Sequence, residues 1–232
     1  MPTPVLLEAR DLARRHPAGN GWLLDHVSVT LRAGMRLALV GPSGAGKTLL
    51  LRALVLLDPL DGGEVRWKGE PIRGHRIPQF RREVVYLHQR PALSGETVEA
   101  TLRLPFSLAV HAGRRFDRER VEAWLGRLGR GADFLDKATA DLSGGEMQIT
   151  ALLRALQLDP TVLLFDEPTA AMDPEATAAM ERLLVGWVGE APTRAMVWVS
   201  HNPHQSARMA DTLLRLDDGR KIEPPPQVGF ES

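Results

Sequence analysis

The sequence contains no cysteine, which excludes disulfide bridges, zinc–thiolate sites and iron–sulfur ligation by this chain. Its formal net charge is zero, because 29 Lys and Arg residues balance 29 Asp and Glu residues. Without an overall basic field, we expect no nucleic-acid partner. The seven histidines are scattered along the chain, so a metal-binding histidine cluster is not expected either.

Long hydrophobic runs are also missing. No stretch approaches the roughly 18 consecutive apolar residues that a membrane-spanning helix requires. The N-terminal segment "MPTPVLLEARDLARRH" carries charges inside its apolar run, unlike a signal peptide. We therefore expect a soluble, cytoplasmic chain.

Short apolar stretches rich in branched residues alternate with helical patterns. Apolar residues make up 44% of the 232-residue chain, which is enough for one substantial core. Helical patterns are clearest at 46–57 and 175–188. The alternation predicts an α/β fold with a mainly parallel core sheet. Strands are predicted at 5–9, 27–31, 36–40, 64–67, 84–88, 161–165, 195–200 and 212–216.

The middle of the chain has a different pattern. Residues 91–160 have almost no strand signal but contain helical patterns at 118–130 and 146–158. We interpret 91–160 as a helical subdomain inserted into a core formed by 1–90 and 161–222. Together these make a single domain, 1–222, followed by a Pro-rich flexible tail at 223–232.

A phosphate-binding loop is the strongest motif. "GPSGAGKT", residues 41–48, matches G-x-x-x-x-G-K-[ST] and lies between a predicted strand and a predicted helix. Its backbone N–H groups are expected to surround a phosphate chain, with Lys47 on the β- and γ-phosphates and Thr48 on Mg²⁺. The residues of this loop are Gly41, Pro42, Ser43, Gly44, Ala45, Gly46, Lys47 and Thr48.

Two carboxylates follow a buried strand in "VLLFDEP", residues 162–168. Asp166 is expected to hold Mg²⁺, and Glu167 to orient or deprotonate an attacking water. Together with the phosphate-binding loop, this pair predicts nucleotide hydrolysis with Mg²⁺.

A second anion-binding pattern occurs in "DLSGGEMQIT", residues 141–150. Ser143, Gly144 and Gly145 precede a predicted helix, whose N-terminus favours anions. One nucleotide site does not need two such loops within one small chain.

These motifs together resemble those of ATP-binding-cassette (ABC) ATPases. "LSGGE" (142–146) resembles the family's signature loop, and "YLHQRP" (86–91) its Q-loop, with Gln89. "AAMDP" (170–174) resembles the D-loop with Asp173, and "VSHNP" (199–203) the switch histidine, His201.

The resemblance implies an ABC cassette, which adds an antiparallel β part to the parallel sheet. It also implies a head-to-tail homodimer when ATP is bound, in which Ser143, Gly144 and Gly145 contact the γ-phosphate held by the partner copy. Gln89 would bind Mg²⁺ and water, and His201 the γ-phosphate. The family stacks adenine on an aromatic residue; here the matching position is His16, with Trp22 as the alternative.

A cassette of this kind implies a separate membrane permease, which would hold the chain at the inner face of the cell membrane. The run "GETVEATLRLPF" (95–106), together with "DLSGGEMQITALLRAL" (141–156) and "VWVSHN" (197–202), resembles the ATPase subunits of Fet-type iron exporters and their plant relatives. This resemblance implies metal export, with iron as cargo. The alternatives are a transporter ATPase for another cargo and a non-transport ABC ATPase of the Fe–S assembly type. Candidates for the permease-docking groove are Leu93, Leu102, Leu104 and Phe106, with core packing as the alternative role of each.

Overall fold

The computed structural model describes residues 3–19 and 21–222, so the tail predicted at 223–232 lies outside the described residues. All eight predicted strands are present. They are β1 (Val5–Arg15), β2 (Trp22–Arg32), β3 (Arg36–Val40), β4 (Gly62–Trp67), β6 (Val84–Leu87), β7 (Val162–Asp166), β8 (Ala195–Val199) and β9 (Thr212–Asp217). Two short strands, β5 (Glu70–Pro71) and β10 (Arg220–Ile222), were not predicted, because hairpin partners this short carry no periodic signal.

Seven α-helices lie in the described ranges. They are α1 (Lys47–Leu54), α2 (Ile77–Glu83), α3 (Val98–Arg103), α4 (Arg118–Arg127), α5 (Gly144–Leu156), α6 (Pro174–Gly189) and α7 (Pro203–Met209). The sequence pattern predicts α1, α4, α5 and α6 to within a few residues. It does not single out α2, α3 and α7, which have only six or seven residues each and thus less than two turns of periodicity.

The strands form two sheets. An antiparallel sheet has the order β2-β1-β4-β5, and a six-stranded sheet has the order β10-β9-β3-β8-β7-β6. In the second sheet β9, β3, β8, β7 and β6 run parallel, and only β10 is antiparallel. This confirms the predicted fold class, with a mainly parallel core sheet and an antiparallel β part.

The parallel sheet is buried on both faces. Along β7, Val162 and Leu164 belong to the core shared with the antiparallel sheet and α1, whereas Leu163 and Phe165 belong to the core shared with α5 and α6. Alternation of this kind is what a two-layered core demands of a central strand. Continued to the end of β7, this alternation places Asp166 on the face that also carries α1 and the loop before α1.

Residues 91–160 contain helices, 3₁₀ turns, loops and one isolated antiparallel bridge between Thr97 and Ala138. Their core is continuous with that of α6, because both contribute to one hydrophobic cluster. None of the helices in the described residues has the length and apolar character needed to cross a membrane.

Candidate functional site

Three parallel strands deliver the predicted site residues to one edge of the sheet. β3 leads into the 41–48 loop, β7 ends at Asp166, and β8 is followed by Ser200 and His201. The register pairs Asp166 with Val199 on adjacent strands. Since the carboxyl ends of parallel strands meet at the same edge, residues distant in sequence converge here.

The phosphate-binding loop is packed tightly beneath the start of α1. A Cβ added at Gly41 would lie 2.0 Å from the carbonyl oxygen of Leu216, so only glycine fits there. Gly46 is the N-cap of α1, in the left-handed region with φ +94°. The loop therefore approaches its neighbours by backbone alone and directs the N-terminus of α1 towards the site.

Lys47 folds back over this loop. Its Nζ donates to the carbonyl oxygens of Gly41 and Pro42, at 2.8 Å each, and the residue is buried. Burial lowers the pKa of Lys47, and the Glu167 and Asp166 carboxylates oppose that shift. Thr48, the next residue, is exposed.

Asp166 is 2% exposed and accepts a hydrogen bond of 2.9 Å from the hydroxyl of Tyr86. Burial raises the pKa of Tyr86, and the Asp166 carboxylate raises it further, so the phenol stays protonated and remains a donor. Tyr86 was not predicted as a site residue. Its only sequence signal is that it is a polar aromatic residue in the strand beside β7.

Glu167 stands at a strained point of the backbone. Its φ is +50°, in the left-handed region that non-glycine residues rarely adopt, and its N–H donates to Val199 O at 3.1 Å. Such a conformation costs about 1–2 kcal/mol and is concentrated at functional sites. The strain turns the Glu167 side chain out of the strand direction.

Three predicted residues meet at this carboxylate. Oε1 of Glu167 lies 2.7 Å from Nε2 of His201, and Oε2 accepts from Nε2 of Gln89 at 3.2 Å. The three come from three separate loops, after β6, β7 and β8. The structure thus brings together all the predicted catalytic side chains.

The backbone that carries Gln89 is held by the helical part of the chain. Gln148 of α5 donates from Nε2 to the carbonyl oxygen of Gln89, and to that of His88 at 3.4 Å. Gln148 is 2% exposed. A motion of α5 would therefore pull directly on the loop of Gln89. Gln148 was not predicted as a site residue, although it lies five residues after Ser143 in the signature segment.

A cavity of about 320 Å³ lies at the convergence point. It is lined by Ser43, Gly44, Gly46, Lys47, Thr48, Leu49, Glu167 and His201. The second predicted anion loop, 143–145, does not belong to this lining. Within the described residues, only the first of the two predicted anion-binding loops therefore lines this cavity.

Ser143 begins α5 with a capping box. Its hydroxyl accepts from Glu146 N–H at 3.3 Å, and its own N–H donates to Oε2 of Glu146 at 2.9 Å. Glu146 also accepts from Lys137 Nζ at 2.7 Å. The Lys137 ammonium and the Ser143 amide lower the pKa of Glu146 to about 2. A Cβ at Gly144 would meet that of Ala171 at 2.9 Å, so the signature loop packs closely on the segment before α6.

Asp173 and the two candidate adenine contacts lie away from that cavity lining. Asp173 is exposed and caps α6, because its Oδ1 accepts from Ala176 N–H at 2.8 Å. His16 is exposed at the end of β1. Trp22 is half-buried, with the Arg15 guanidinium 4.8 Å from its ring centroid and His26 packed at 5.4 Å in an edge arrangement.

An apolar groove of about 900 Å³ lies between β6, α5 and the turns that follow α3. Of the four predicted groove residues only Leu104 lines it, at 43% exposure. Leu102 has the alternative role expected for these residues, core packing, because it is fully buried in the helical core. Leu93 also packs on that core, and Phe106 is half-buried outside the groove lining. Leu57 and Leu108, 45% and 56% exposed, also line the groove and were not predicted. Leu57 was expected within the helix at 46–57, but α1 ends at Leu54.

Comparison with known proteins gives consistent matches. The family model described as "ABC transporter" matches residues 24–170. The phosphate import ATP-binding protein PstB 2 of Natronomonas pharaonis is 35% identical over 221 residues, covering 88% of this chain and 75% of that protein. Protein STAR1 of Oryza sativa subsp. japonica is 34% identical over 226 residues, covering 96% of this chain and 64% of STAR1. Other relatives are named for the import of methionine and thiamine.

Among solved structures, the dimeric post-hydrolysis state of the ATP-binding cassette MJ0796, bound to ADP and Pi, superposes with a TM-score of 0.82. The alignment covers 94% of this chain and 98% of that one, at 23% identity. At that identity the similarity establishes the fold.

Proposed function

The chain belongs to the ABC transporter family as an ATP-hydrolysing cassette, and from that premise we propose that two copies enclose ATP between them and drive a separate membrane permease. One observation carries the proposal. Glu167, His201 and Gln89 converge beside the phosphate-binding loop, while the Ser143 loop of the same copy stands elsewhere. The site is therefore one half of a composite site.

The phosphate chain of ATP fits the 41–48 loop, where glycine is sterically required and Lys47 is held nearby. On binding, the Lys47 ammonium would exchange its two carbonyl acceptors for β- and γ-phosphate oxygens. Mg²⁺ prefers oxygen ligands, and the hydroxyl of Thr48, the carboxylate of Asp166 and the amide of Gln89 provide them. When bound, Mg²⁺ would neutralise charge on the phosphates. Tyr86 would keep the Asp166 carboxylate oriented.

For hydrolysis, Glu167 would accept the proton of the attacking water or orient it towards the γ-phosphate. His201 would bind the γ-phosphate and fix the Glu167 carboxylate through the 2.7 Å contact. Gln89 contacts the other carboxylate oxygen, so its loop reports the state of the site to the helical part through Gln148.

Ser143, Gly144 and Gly145 would bind the γ-phosphate held by the partner copy. Ser143 is exposed, and its oxygen only accepts within the capping box, so its hydroxyl hydrogen is available to a phosphate. Asp173 would approach the same interface from the start of α6. Closure of the two copies excludes water from the site, and hydrolysis removes the group that joins them.

The permease would dock in the 900 Å³ groove, where Leu57, Leu104 and Leu108 are exposed together. An amphipathic helix presenting apolar anchors fits such a groove. The groove adjoins His88 and Arg154, and α5 forms one wall, so closure of the ATP site would move the docked helix. This arrangement would place the chain at the inner face of the membrane.

The proposed cargo is a metal, with iron export as the specific hypothesis, which rests only on the resemblance of residues 95–106, 141–156 and 197–202 to Fet-type subunits. Relatives are named for the import of phosphate, methionine and thiamine and for the transport of di- and tripeptides, and the name of STAR1 states no cargo. Deleting the gene and measuring cell iron under iron excess, with complementation by wild type or Lys47→Ala, tests the cargo. Unchanged iron content and tolerance would remove iron and leave the transporter ATPase intact.

Copurification tests the transporter role itself. The Glu167→Gln variant, solubilised with ATP from membranes, should bring down a polytopic membrane protein. Recovery with soluble Fe–S assembly partners instead would favour the alternative, a non-transport ABC ATPase.

A further inference from the structure

Gln205, on α7, is 5% exposed, and its buried side-chain amide contacts Ser200, Thr169 and Glu181. We propose that Gln205 is a positioning residue that holds the loops of Glu167 and His201 together for hydrolysis. The inference rests on the function proposed for these two residues. It adds a buried side chain on α7 that acts through the two loops.

The amide of Gln205 joins both loops at once. Its Oε1 accepts from the hydroxyl of Ser200 at 2.6 Å, and its Nε2 donates to Oγ1 of Thr169 at 2.8 Å. Ser200 immediately precedes His201, and Thr169 is two residues after Glu167. One side chain thus spans the two strand ends that carry the pair.

The same amide also contacts a buried carboxylate on α6. Nε2 of Gln205 also donates to Oε1 of Glu181, at 2.9 Å. Glu181 is buried on α6 and accepts from Nε and Nη2 of Arg208, at 3.1 and 2.9 Å. The network therefore ties both loops to α6 and α7, which are packed elements.

The catalytic pair needs such support. The His201 side chain is 52% exposed, so packing alone does not select its rotamer. Glu167 sits in a strained backbone conformation that persists only where neighbours enforce it. Both residues line a cavity of about 520 Å³ together with Thr169, Gln205 and Glu181.

An amide is the group this position requires. It accepts from Ser200 and donates to both Thr169 and Glu181, which neither a carboxylate nor a hydrocarbon can do. A carboxylate here would stand at hydrogen-bond distance from that of Glu181, where like charges repel. Exchanging the two groups, as Glu181→Gln with Gln205→Glu, restores one amide and one carboxylate.

The test uses full-length protein and two readouts. The first is the imidazole ¹H–¹⁵N spectrum, with the His201 signals assigned from their loss in His201→Ala. The second is kcat and KM for ATP with Mg²⁺. In Gln205→Leu we expect the His201 signals to move towards those of Glu167→Gln. We expect kcat to fall roughly 10- to 100-fold with KM little changed, because misplacement affects the transition state.

Gln157→Leu is the matched control, since Gln157 is 7% exposed and donates to Leu102 O, far from the pair. It should leave kcat and the His201 signals unchanged. Gln205→Glu should also be impaired, and the double exchange should recover most of kcat and the His201 signals. Wild-type signals and kcat in Gln205→Leu, or a double exchange no better than Gln205→Glu, would overturn the proposal.

Failure of this proposal can be distinguished from failure of the proposed function. If Glu167→Gln and His201→Ala hydrolyse ATP like wild type, the proposed function is wrong. The His201 spectrum does not need turnover, so it reports on Gln205 even then. If Gln205→Leu does not fold, Gln205→Glu and the double exchange still decide the matter.

Discussion

His201 Nε2 lies 2.7 Å from Oε1 of Glu167, and the two residues follow adjacent parallel strands. The contact places the proposed general base, Glu167, beside the proposed γ-phosphate ligand, His201. Loss of His201 therefore removes the partner of Oε1 of Glu167, whereas Oε2 still accepts from Gln89.

Replacing Glu167 by glutamine should trap the ATP-bound dimer. The isosteric amide cannot take the proton of the attacking water, so hydrolysis should fall about 100-fold or more while ATP still binds. Size-exclusion chromatography with ATP and Mg²⁺ should show a dimer, and Lys47→Ala under the same conditions a monomer. A monomeric Glu167→Gln would contradict the two-copy site.

Lys47→Ala and Ser143→Arg should complement each other in trans. Each chain alone lacks one half of every composite site, but a mixed dimer contains one site with both halves intact. ATPase assays of the mixture should exceed both parents. The measurement is best made with the permease bound. If the wild type is active and the mixture hydrolyses ATP no faster than either parent, the head-to-tail arrangement is refuted.

Glu146 should make stability depend on pH in the acid range. Its pKa is about 2 in the folded chain against an ordinary value of 4.5, so its stabilisation is complete above pH 4.5 and is lost as the pH falls towards 2. Between pH 6 and pH 3 the wild type should lose about 1–2 kcal/mol more unfolding free energy than Glu146→Gln. Urea unfolding at several pH values measures this, with Glu119→Gln on α4 as control. Parallel curves would argue against the capping-box assignment.

Charged substitutions in the groove should release the permease. Leu104→Glu and Leu108→Glu place a carboxylate where an apolar anchor would dock, and should weaken copurification about tenfold or more. Leu213→Glu is the matched control, because Leu213 is 57% exposed on β9, outside the groove lining. ATP-dependent dimerisation of all three should stay normal. Equal losses for groove and control variants would remove the groove as docking site.

His16 should contribute the adenine contact. Its ring is exposed, whereas Trp22 already has Arg15 and His26 packed against it. His16→Ala should weaken ATP binding by about 1–2 kcal/mol, and His16→Phe should restore it, because stacking needs only an aromatic face. Titration with a fluorescent ATP analogue gives the affinities. A larger loss in Trp22→Ala would transfer the role to Trp22.

Much of this protein follows from local sequence. The 41–48 loop, the strand ending in Asp166 and Glu167, and the Ser143 cap of α5 are each encoded within about ten neighbouring residues. Glycine placement, strand hydrophobicity and capping chemistry each depend on neighbouring residues in the sequence. Strands such as β3 and β7 were therefore predicted to within a residue.

Other features exist only in the folded chain. The Tyr86–Asp166 hydrogen bond and the contacts of Gln205 depend on the register and order of parallel strands, which bring together loops far apart in sequence. Leu102 and Leu104 look alike in sequence, yet one is buried and the other lines the groove. Helix packing determined that difference: it selects which face of α3 meets α5, and a side chain two positions further on falls outside that face.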